Sequence, residues 1–225
     1  MTGTVIVLAK APVPGRAKTR LCPPATPEES ADVAAASLLD TLDAAAAVPD
    51  TRTLVAFTGR LIDAARACEV EAALGRTHRT LQRGEGLGPR IVAALADAAA
   101  RFPGDPGLLI GMDTPQVRPA LLAEGVAALE HADAVLGLAP DGGWWALGLR
   151  DPAAAGPVAG VPMSREDTGE NTLAALRAAG LRVVLLPELT DVDTAEDALV
   201  VAAAVPGSRF AEAVDRVPGF QRVAR

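Results

Sequence analysis

Short apolar runs alternate along this chain with long alanine-rich stretches. The run at residues 5–9 is apolar without interruption, which is typical of a strand that is buried on both faces. This alternation predicts an α/β fold, in which a mostly parallel sheet lies between two layers of helices as a three-layer α/β/α sandwich. We predict strands at residues 4–9, 53–57, 107–111, 133–138, 144–149 and 182–186. We predict helices at residues 27–47, 60–70, 89–101, 119–130, 170–179 and 195–204, and a terminal helix with a frayed end after Pro206 that includes Arg222 and Arg225.

Two of these helices have clear starts. Thr26 lies three residues before Glu29, and Thr194 lies three residues before Asp197, which is the spacing of a capping box. No internal repeat or Ser/Gly linker divides the sequence, so we expect a single domain over residues 1–225. Proline and glycine gather after several predicted strands, and in open α/β sheets ligands bind at the carboxyl ends of the strands.

The composition excludes several classes of function. The 225 residues carry 21 Lys and Arg against 28 Asp and Glu, so nucleic acid is not an expected partner, because affinity for a polyanion depends on basic surfaces. No apolar stretch approaches the ~20 residues of a membrane-spanning helix, and the N-terminus lacks the pattern of a signal peptide. The two cysteines have neither disulfide nor metal-site spacing. We therefore expect a cytoplasmic protein.

The loop after the first predicted strand concentrates the positive charge. It contains four cations: Lys10, Arg16, Lys18 and Arg20. The two lysines are the only ones in the protein, and lysine is a compact charge on a flexible stem that suits contact with a phosphate. Backbone N–H groups of the turn at Gly15 can share the phosphate charge. We interpret the loop as a polyphosphate cradle, although a solvated charge cluster is the alternative.

Carboxylates follow two of the other predicted strands. Asp113 comes directly after the strand at 107–111, and Asp191 and Asp193 follow the strand at 182–186. Polyphosphate chemistry usually needs Mg²⁺, which proteins hold through one or two carboxylates together with the phosphates. We predict that Asp113 and Asp193 hold Mg²⁺, with Mn²⁺ as an alternative ion and Asp191 as a further candidate. Taken singly, each aspartate is explained equally well as a turn or capping residue.

A third segment carries candidate acceptor-binding residues. Asp141 precedes Gly142 and Gly143, and two glycines let a backbone approach a ligand closely. Trp144 and Trp145 follow on a predicted strand, where their side chains should face opposite ways, one toward the core and the other toward a pocket. We predict substrate binding by Asp141, the two glycines and Trp145. A simple hairpin turn explains the glycines equally well.

Together these segments resemble the small bacterial glycosyltransferase-like proteins with the GT-A fold, also called radical-SAM/selenodomain-associated transferases. The most specific landmarks are the loop from Lys10 to Leu21 and the Asp-Gly-Gly segment at 141–143. The Lys-Thr-Arg-Leu motif and the later Asp-Val-Asp-Thr motif are also similar to phospholactate guanylyltransferases and sugar-acid cytidylyltransferases. The chain departs from the family pattern at Met112, Thr114, Trp144, Trp145, Met163, Arg165 and Ala195, so the acceptor side differs more than the nucleotide side.

The resemblance implies roles for these residues. Lys18 and Arg16 would contact the phosphates and, with Asp113, carry the catalysis, while Asp113 and Asp193 would bind Mg²⁺. The nucleotide-binding residues would be Ala9, Lys10, Gly15, Arg16, Lys18, Arg20 and Gly86. Gly86 lies in a second glycine-rich segment, which a simple strand-to-helix connection explains equally well.

The expected activity is Mg²⁺-dependent transfer of a nucleoside monophosphate from a nucleoside triphosphate to a small phosphorylated or hydroxylated acceptor. Two alternatives stay open: glycosyl transfer from a nucleotide-sugar, and a non-catalytic nucleotide-binding module. The base, the acceptor and a homodimeric state are left open by the sequence.

Overall fold

The computed structural model of the protein describes residues 2–220. Its strands are β1 (Gly3–Lys10), β2 (Thr51–Thr58), β3 (His78–Leu81), β4 (Gly107–Gly111), β5 (Ala134–Leu138), β6 (Trp144–Leu149) and β7 (Val183–Leu186). Its α-helices are α1 (Pro27–Ala46), α2 (Ala67–Gly75), α3 (Leu87–Arg101), α4 (Pro119–Ala128), α5 (Thr168–Ala178), α6 (Ala195–Ala204) and α7 (Arg209–Asp215).

The seven strands form one sheet in the order β3-β2-β1-β4-β6-β5-β7. Strand β6 runs antiparallel to its neighbours β4 and β5, and the other four pairs are parallel. The prediction of a mostly parallel sheet is confirmed. Strands β1 and β4 are parallel neighbours at the centre, so the loops that follow them leave the sheet at the same edge.

Helices cover both faces of the sheet. On one face, side chains of α1, α2 and α4 pack with alternate residues of β1, such as Val5 and Val7. On the other face, side chains of α3 and α5 pack with the intervening residue Ile6 and with Leu109 of β4. Burial on both faces explains why these strands are continuously apolar. The predicted three-layer α/β/α sandwich is confirmed.

A third apolar cluster lies beside the sheet. It joins one side of α1 to α6 and α7 and includes the fully buried Leu21, Phe210 and Phe220. Leu21 ends the basic loop, and Val192 of the same cluster lies between Asp191 and Asp193. This cluster therefore anchors two of the segments that were predicted to carry the chemistry.

Two elements differ from the sequence prediction. Strand β3 was not predicted, because its residues His78–Leu81 are mostly exposed at the sheet edge and have no apolar pattern. The helix predicted at 60–70 is a single 3₁₀ turn at Leu61–Asp63 followed by α2, which begins only after Arg66. Arg66 has φ 48°, a left-handed conformation that separates the two helical pieces.

The predicted helix starts are confirmed. Thr26 and Glu29 form a reciprocal capping box on α1, and Thr194 and Asp197 form another on α6. The predicted terminal helix is α7, whereas Arg222 and Arg225 lie outside the described residues. No helix within residues 2–220 has both the length and the apolar character needed to cross a bilayer.

Candidate functional site

The basic loop and the two predicted metal ligands meet at the carboxyl edge of the sheet. The Nζ atom of Lys18 lies 3.0 Å from Oδ1 of Asp113 and 3.0 Å from Oδ1 of Asp193. The Lys18 side chain is only 8% exposed, whereas the two aspartates are 37% and 41% exposed. The predicted convergence of these three residues is therefore present, with the ammonium group between the two carboxylates.

The loop that carries Lys18 is held by its own backbone and by its neighbours. The amides of Arg16 and Ala17 both donate to the carbonyl of Val13, and the amide of Leu21 donates to the carbonyl of Lys18. Ala17 and Leu21 are buried on either side. Lys18 itself has φ 47° and ψ 43°, so the chain turns sharply at this residue. These contacts fix the backbone from which the Lys18 side chain reaches the aspartates.

Hydrogen bonds tie the segment after β4 to the segment before α6. The amide of Val192 donates to the carbonyl of Asp113 at 3.0 Å, and Gln116 Nε2 donates to the carbonyl of Thr190 at 2.7 Å. The buried hydroxyl of Ser37 on α1 donates to the carbonyl of Met112 at 2.7 Å. Val192 is buried between Asp191 and Asp193, and its hydrogen bond to Asp113 holds this acidic segment beside the loop after β4.

Asp193 is the most heavily bonded carboxylate of the group. Its Oδ2 accepts a hydrogen bond of 3.2 Å from the exposed Arg20, while Oδ1 contacts Lys18. Its backbone amide donates to Asp197, which forms the capping box of α6 with Thr194. The start of α6 and the basic loop thus position Asp193 together.

The charges of the site act on one another. Burial alone would lower the pKa of Lys18, but the charges of Asp113 and Asp193 outweigh it and raise that pKa. Burial alone would raise the pKa of Asp193, but Lys18 and Arg20 hold it below its usual value. Desolvation, with the nearby charge of Asp113, raises the pKa of Asp191 to about 7. Asp191 is therefore a third acidic group of the site. Unlike Asp113 and Asp193, it forms no ion pair with Lys18.

The remaining predicted nucleotide-binding residues fall into two groups. Lys10, Gly15 and Arg16 are exposed around the loop, and neither Lys10 nor Arg16 forms an ion pair with another described residue. Gly86 is also exposed and has φ 91° directly before α3. Ala9, by contrast, is buried within β1, and its carbonyl accepts a hydrogen bond of 2.8 Å from Gln82.

The Asp-Gly-Gly segment forms a tight turn between β5 and β6 and packs on the start of α5. Asp141 Oδ1 accepts a hydrogen bond from the amide of Gly143, and the amide of Gly169 donates to the carbonyl of Gly142 at 2.7 Å. Gly142 has φ 85°, and a Cβ there would overlap the carbonyl of Glu166. Gly142 is therefore needed for this packing, whereas a Cβ at Gly143 would meet only the Asp141 carboxylate at 3.0 Å. The exposed carboxylate of Asp141 contributes to the field at Asp191.

The two tryptophans face opposite sides of the sheet, as predicted. Trp145 is 2% exposed in the core, and its indole N–H donates to the carbonyl of Pro187 at 2.9 Å. Substrate binding by the Trp145 side chain is therefore not supported, because no face of the ring reaches the surface. Trp144 is the half-buried one, and its Nε1 has no hydrogen-bond partner within the described part of the chain.

The donor set fits a divalent cation that shares its coordination with phosphates. Asp113 and Asp193 supply hard carboxylate oxygens, which suit Mg²⁺ or Mn²⁺, and Mg²⁺ often takes only one or two protein carboxylates. Among residues 2–220, no group of three or more His, Cys, Asp or Glu side chains forms a self-sufficient metal site. A cation here would therefore depend on a second source of ligands.

Sequence reasoning missed the residues that position this site. Ser37, Gln82 and Gln116 act through hydrogen bonds to backbone carbonyls that lie 73 to 75 residues away in the chain, and their neighbours in sequence carry no motif. The only available signal was Gln82 at the start of a glycine-rich segment. The sequence favoured Asp193 over Asp191 as a metal ligand. Burial and the charge of Asp113 raise the pKa of Asp191, so Asp191 also belongs to the site.

Comparison with solved structures identifies the fold. A protein provisionally named as a nucleotide-diphospho-sugar transferase, from Desulfovibrio desulfuricans, is 26% identical with a TM-score of 0.81, over 100% of this chain and 95% of the other. The CMP:2-keto-3-deoxy-manno-octonic acid synthetase, solved with CTP, is 13% identical with a TM-score of 0.56, over 90% of this chain and 98% of its own. A Mycobacterium tuberculosis protein solved with manganese is 21% identical with a TM-score of 0.53, over 89% and 98%.

These neighbours confirm the predicted transferase fold of the GT-A type. At 13% and 21% identity, the last two bear on the fold alone. A search among curated proteins found no match. A family model described as "Uncharacterized protein conserved in bacteria (DUF2064)" matches residues 41–165, which is more than half of the chain and includes Asp113 and the Asp-Gly-Gly segment but not Lys18 or Asp193.

Proposed function

Since the chain belongs to the DUF2064 family, whose description states no activity, we propose from the site itself that the protein is a nucleotidyltransferase. It moves a nucleoside monophosphate from a nucleoside triphosphate to a small phosphorylated or hydroxylated acceptor. The observation that carries this proposal is the contact of Lys18 with both Asp113 and Asp193 at the carboxyl edge of the sheet. The whole chain acts as one transferase domain around its single sheet.

The loop residues bind the polyphosphate. Lys10 and Arg16 are exposed and without ion pairs to described residues, so their charges are available to an arriving anion. Arg20 is 73% exposed beside Asp193, and Lys18 lies deeper in the same loop. The turn at Gly15 is open, because only its own chain neighbours lie within 4 Å of the point that a Cβ would occupy, and phosphate oxygens can therefore approach the backbone there.

Asp113 and Asp193 hold the divalent cation, Mg²⁺ or Mn²⁺, together with the phosphates. When bound, this ion neutralises charge on the phosphate oxygens and so favours departure of pyrophosphate. The aspartates are suited to this because they are partly exposed and their backbone positions are fixed by the Val192 and Asp197 hydrogen bonds.

The chemical step is an in-line displacement at the α-phosphorus. An acceptor oxygen forms a bond to that phosphorus, the bond to the bridging oxygen breaks, and pyrophosphate leaves with the electron pair. Lys18 and Arg16 stabilise the negative charge that develops on the oxygens, so catalysis here is mostly positioning and electrostatics. A phosphorylated acceptor already carries a nucleophilic oxyanion, whereas a hydroxyl acceptor must lose its proton to water or to a carboxylate.

Two of the structural neighbours that share the fold were solved with ligands of the proposed kind. One was solved with CTP and the other with manganese, which are the classes of ligand that the proposal requires.

The two cysteines, Cys22 and Cys68, are both free thiols, which agrees with a reducing cytoplasm as the proposed location.

Glycosyl transfer is the second candidate function. It is favoured by the Desulfovibrio desulfuricans neighbour, whose name assigns it a nucleotide-diphospho-sugar substrate and which aligns with this chain throughout. In that reaction a bond at the sugar carbon breaks, and a nucleoside diphosphate leaves in place of pyrophosphate. The same cations and carboxylates would bind the diphosphate.

The leaving group distinguishes the two reactions. The protein is incubated with each nucleoside triphosphate, or with nucleotide-sugars, in the presence of Mg²⁺ or Mn²⁺ and a panel of phosphorylated and hydroxylated acceptors. Release of pyrophosphate that depends on the acceptor supports nucleotidyl transfer, and release of nucleoside diphosphate supports glycosyl transfer. Asp113→Asn should lower either rate by at least about 100-fold, whereas Glu124→Gln, an exposed change on α4, should leave it unchanged.

A third result would contradict both reactions. If the protein binds nucleotides in a thermal-shift assay equally well with and without a divalent cation, and Asp113→Asn binds them as the wild type does, the site is a non-catalytic nucleotide-binding module.

A further inference from the structure

Lys18 fills the space between the two carboxylates that are suited to a divalent cation. Each Oδ1 atom, of Asp113 and of Asp193, lies 3.0 Å from the same Nζ atom. The ammonium group is removed from solvent, with its side chain 8% exposed; it donates a hydrogen bond to Asp193 and forms an ion pair with Asp113. In the free protein the aspartate pair is therefore already neutralised in part by an internal cation.

A divalent cation cannot share that position with the ammonium group. Mg²⁺ lies about 2.1 Å from its oxygen ligands, so an ion bound between the same two oxygens would be close to Nζ. Two positive charges so close together repel each other strongly in a partly buried site, where solvent screens them less than in water. Binding of the cation and the present position of Lys18 exclude each other.

The Lys18 side chain is able to leave while the loop stays in place. Its backbone is fixed by buried neighbours, Ala17 and Leu21, so only the flexible four-carbon stem has to move. Asp193 keeps its contact with Arg20 when Lys18 departs, because Arg20 bonds the other oxygen, Oδ2. Asp113 loses the one ion pair that it makes with a described residue, and so it needs a new cation.

A nucleoside triphosphate supplies the reason to move. It carries several negative charges, which add to the carboxylates already present at Asp113 and Asp193. The anion offers Lys18 new acceptors on the phosphates and at the same time offers a divalent cation the additional ligands that the described residues alone do not provide. Without the nucleotide, the cation would have to displace Lys18 while gaining only two carboxylates.

We propose that Lys18 masks the Asp113–Asp193 pair against divalent cations until a nucleoside triphosphate draws the ammonium group onto its phosphates. The cation then binds together with the nucleotide and not before it. This inference rests on the proposed function in that it takes a nucleoside triphosphate as the ligand. Lys18 thus makes two successive contacts, first with the aspartates and then with the phosphates.

Manganese binding tests the mask directly. The affinity for Mn²⁺ is measured by the electron paramagnetic resonance signal of the free ion, with and without the α,β-methylene analogue of each of the four ribonucleoside triphosphates. The wild type alone should bind Mn²⁺ weakly, and an analogue that binds should raise the affinity at least tenfold. Lys18→Met should bind Mn²⁺ at least tenfold more tightly than the wild type without any nucleotide.

Lys10→Met is the matched control. It removes the same charge from the end of β1, where the basic loop begins, and Lys10 influences Asp193 through space without an ion pair to it. A mask that depends on contact predicts that Lys10→Met raises the affinity for Mn²⁺ by no more than about threefold. Circular dichroism and thermal unfolding establish that each variant is folded, and Lys18→Gln serves as the second variant for Mn²⁺ binding.

The wild-type protein offers a second readout that needs no substitution at Lys18. Because the chain has only two lysines, a sample labelled with ¹⁵N-lysine has two Nζ signals, which Lys10→Met assigns. The Lys18 signal should be protected from exchange in the free protein, stay unchanged with 1 mM Mg²⁺ alone, and shift when Mg²⁺ and the analogue are added together. A shift with Mg²⁺ alone, or none with both, would overturn the mask.

The outcomes separate this inference from the proposed function. If the analogue and Mn²⁺ bind together but Lys18→Met gains no affinity for Mn²⁺ alone, the mask is wrong and the nucleotidyltransferase proposal is unaffected. If no analogue binds or raises the affinity for Mn²⁺, the proposed function fails. A gain in Mn²⁺ affinity by Lys18→Met in that case would still establish that Lys18 blocks the aspartate pair.

Discussion

The backbone amide of Val192 donates a 3.0 Å hydrogen bond to the carbonyl of Asp113. This bond joins the loop after β4 to the segment that enters α6. The Val192 side chain is 1% exposed in the third apolar cluster, so burial of one apolar residue fixes the position of the two aspartates beside it. The geometry of the polar site thus depends on packing against α6 and α7.

Val192→Ala should therefore weaken ligand binding although it removes no polar group. Loss of two buried carbon atoms should lower the free energy of unfolding by about 2 kcal/mol. We also expect the affinity for Mn²⁺ with a bound nucleotide analogue to fall several-fold, because Asp191 and Asp193 lose their anchor. Urea unfolding and Mn²⁺ titration measure the two effects.

Val201→Ala is the control for this prediction. Val201 is 2% exposed in the same cluster but lies within α6 and is not flanked by an aspartate. It should lose similar stability and keep its Mn²⁺ affinity. Equal loss of binding in both variants would show that general loosening of the cluster, and not the Val192 anchor, governs the site.

Gly142→Ala should disrupt the turn that packs against α5. A Cβ at this position would overlap the carbonyl of Glu166, and φ is 85°. Gly104 also has φ 85° but has nothing within 4 Å of a Cβ, so Gly104→Ala measures the backbone strain alone, about 1 kcal/mol. Gly142→Ala should cost roughly 1–3 kcal/mol more in urea unfolding because the overlap adds to that strain. Equal losses would mean that the turn tolerates displacement from α5.

The meeting of the basic loop with Asp113 was predictable from the sequence because it follows from topology. Both segments come directly after apolar strands, and the carboxyl ends of neighbouring parallel strands lie at one edge of a sheet. The exclusive use of lysine at positions 10 and 18 added a chemical reason to connect them.

The position of Asp193 was harder to derive, because no regular element covers residues 187–194 between β7 and α6. Its contact with Lys18 joins residues 175 positions apart and depends on how α6 and α7 pack on α1. The ion pair itself was also not predicted, since the sequence reasoning assigned Lys18 to phosphates and the aspartates to a metal. The opposite charges of Lys18 and of the two aspartates attract one another, which is sufficient to explain the contacts of 3.0 Å.

The alternation of side chains along β6 does not predict which of Trp144 and Trp145 is buried in the core. Alternation predicts that the two rings lie on opposite faces, but both faces of this sheet are covered by helices. Which ring is fully enclosed depends on which helices cover each face at that end of the sheet, and alternation along one strand carries no information about them.

The two tryptophans should be distinguishable by fluorescence. Trp144→Phe leaves Trp145, which is 2% exposed, so its emission should be blue-shifted and resistant to quenching by iodide. Trp145→Phe leaves the half-buried Trp144, whose emission should lie at longer wavelength and be quenched more strongly. The variants are compared with the wild type and with urea-unfolded protein. Stronger iodide quenching of Trp145 than of Trp144 would contradict the described burial and reopen a role for Trp145 in substrate binding.

An ion pair away from the site should make stability depend on acid pH. Asp32 on α1 accepts hydrogen bonds of 2.6 and 2.8 Å from Arg66 and one of 3.2 Å from Arg216. The hydrogen bonds from Arg66 lower the pKa of Asp32 in the folded protein below 3.8. The carboxylate therefore stabilises the fold above the unfolded-state pKa, and this contribution is lost as the pH falls through the lower, folded-state pKa.

Asp32→Asn should accordingly lower the free energy of unfolding by about 1 kcal/mol at pH 7, a modest value because solvent screens a carboxylate that is one-third exposed. The difference between wild type and variant should persist at pH 5 and shrink below pH 4, where the wild type loses the same interaction. Glu71→Gln, an exposed change on α2, should have little effect throughout. Urea unfolding from pH 3 to pH 7 measures these differences. A gap between wild type and Asp32→Asn that grew on acidification would reverse the sign of the linkage and contradict the stabilising ion pair.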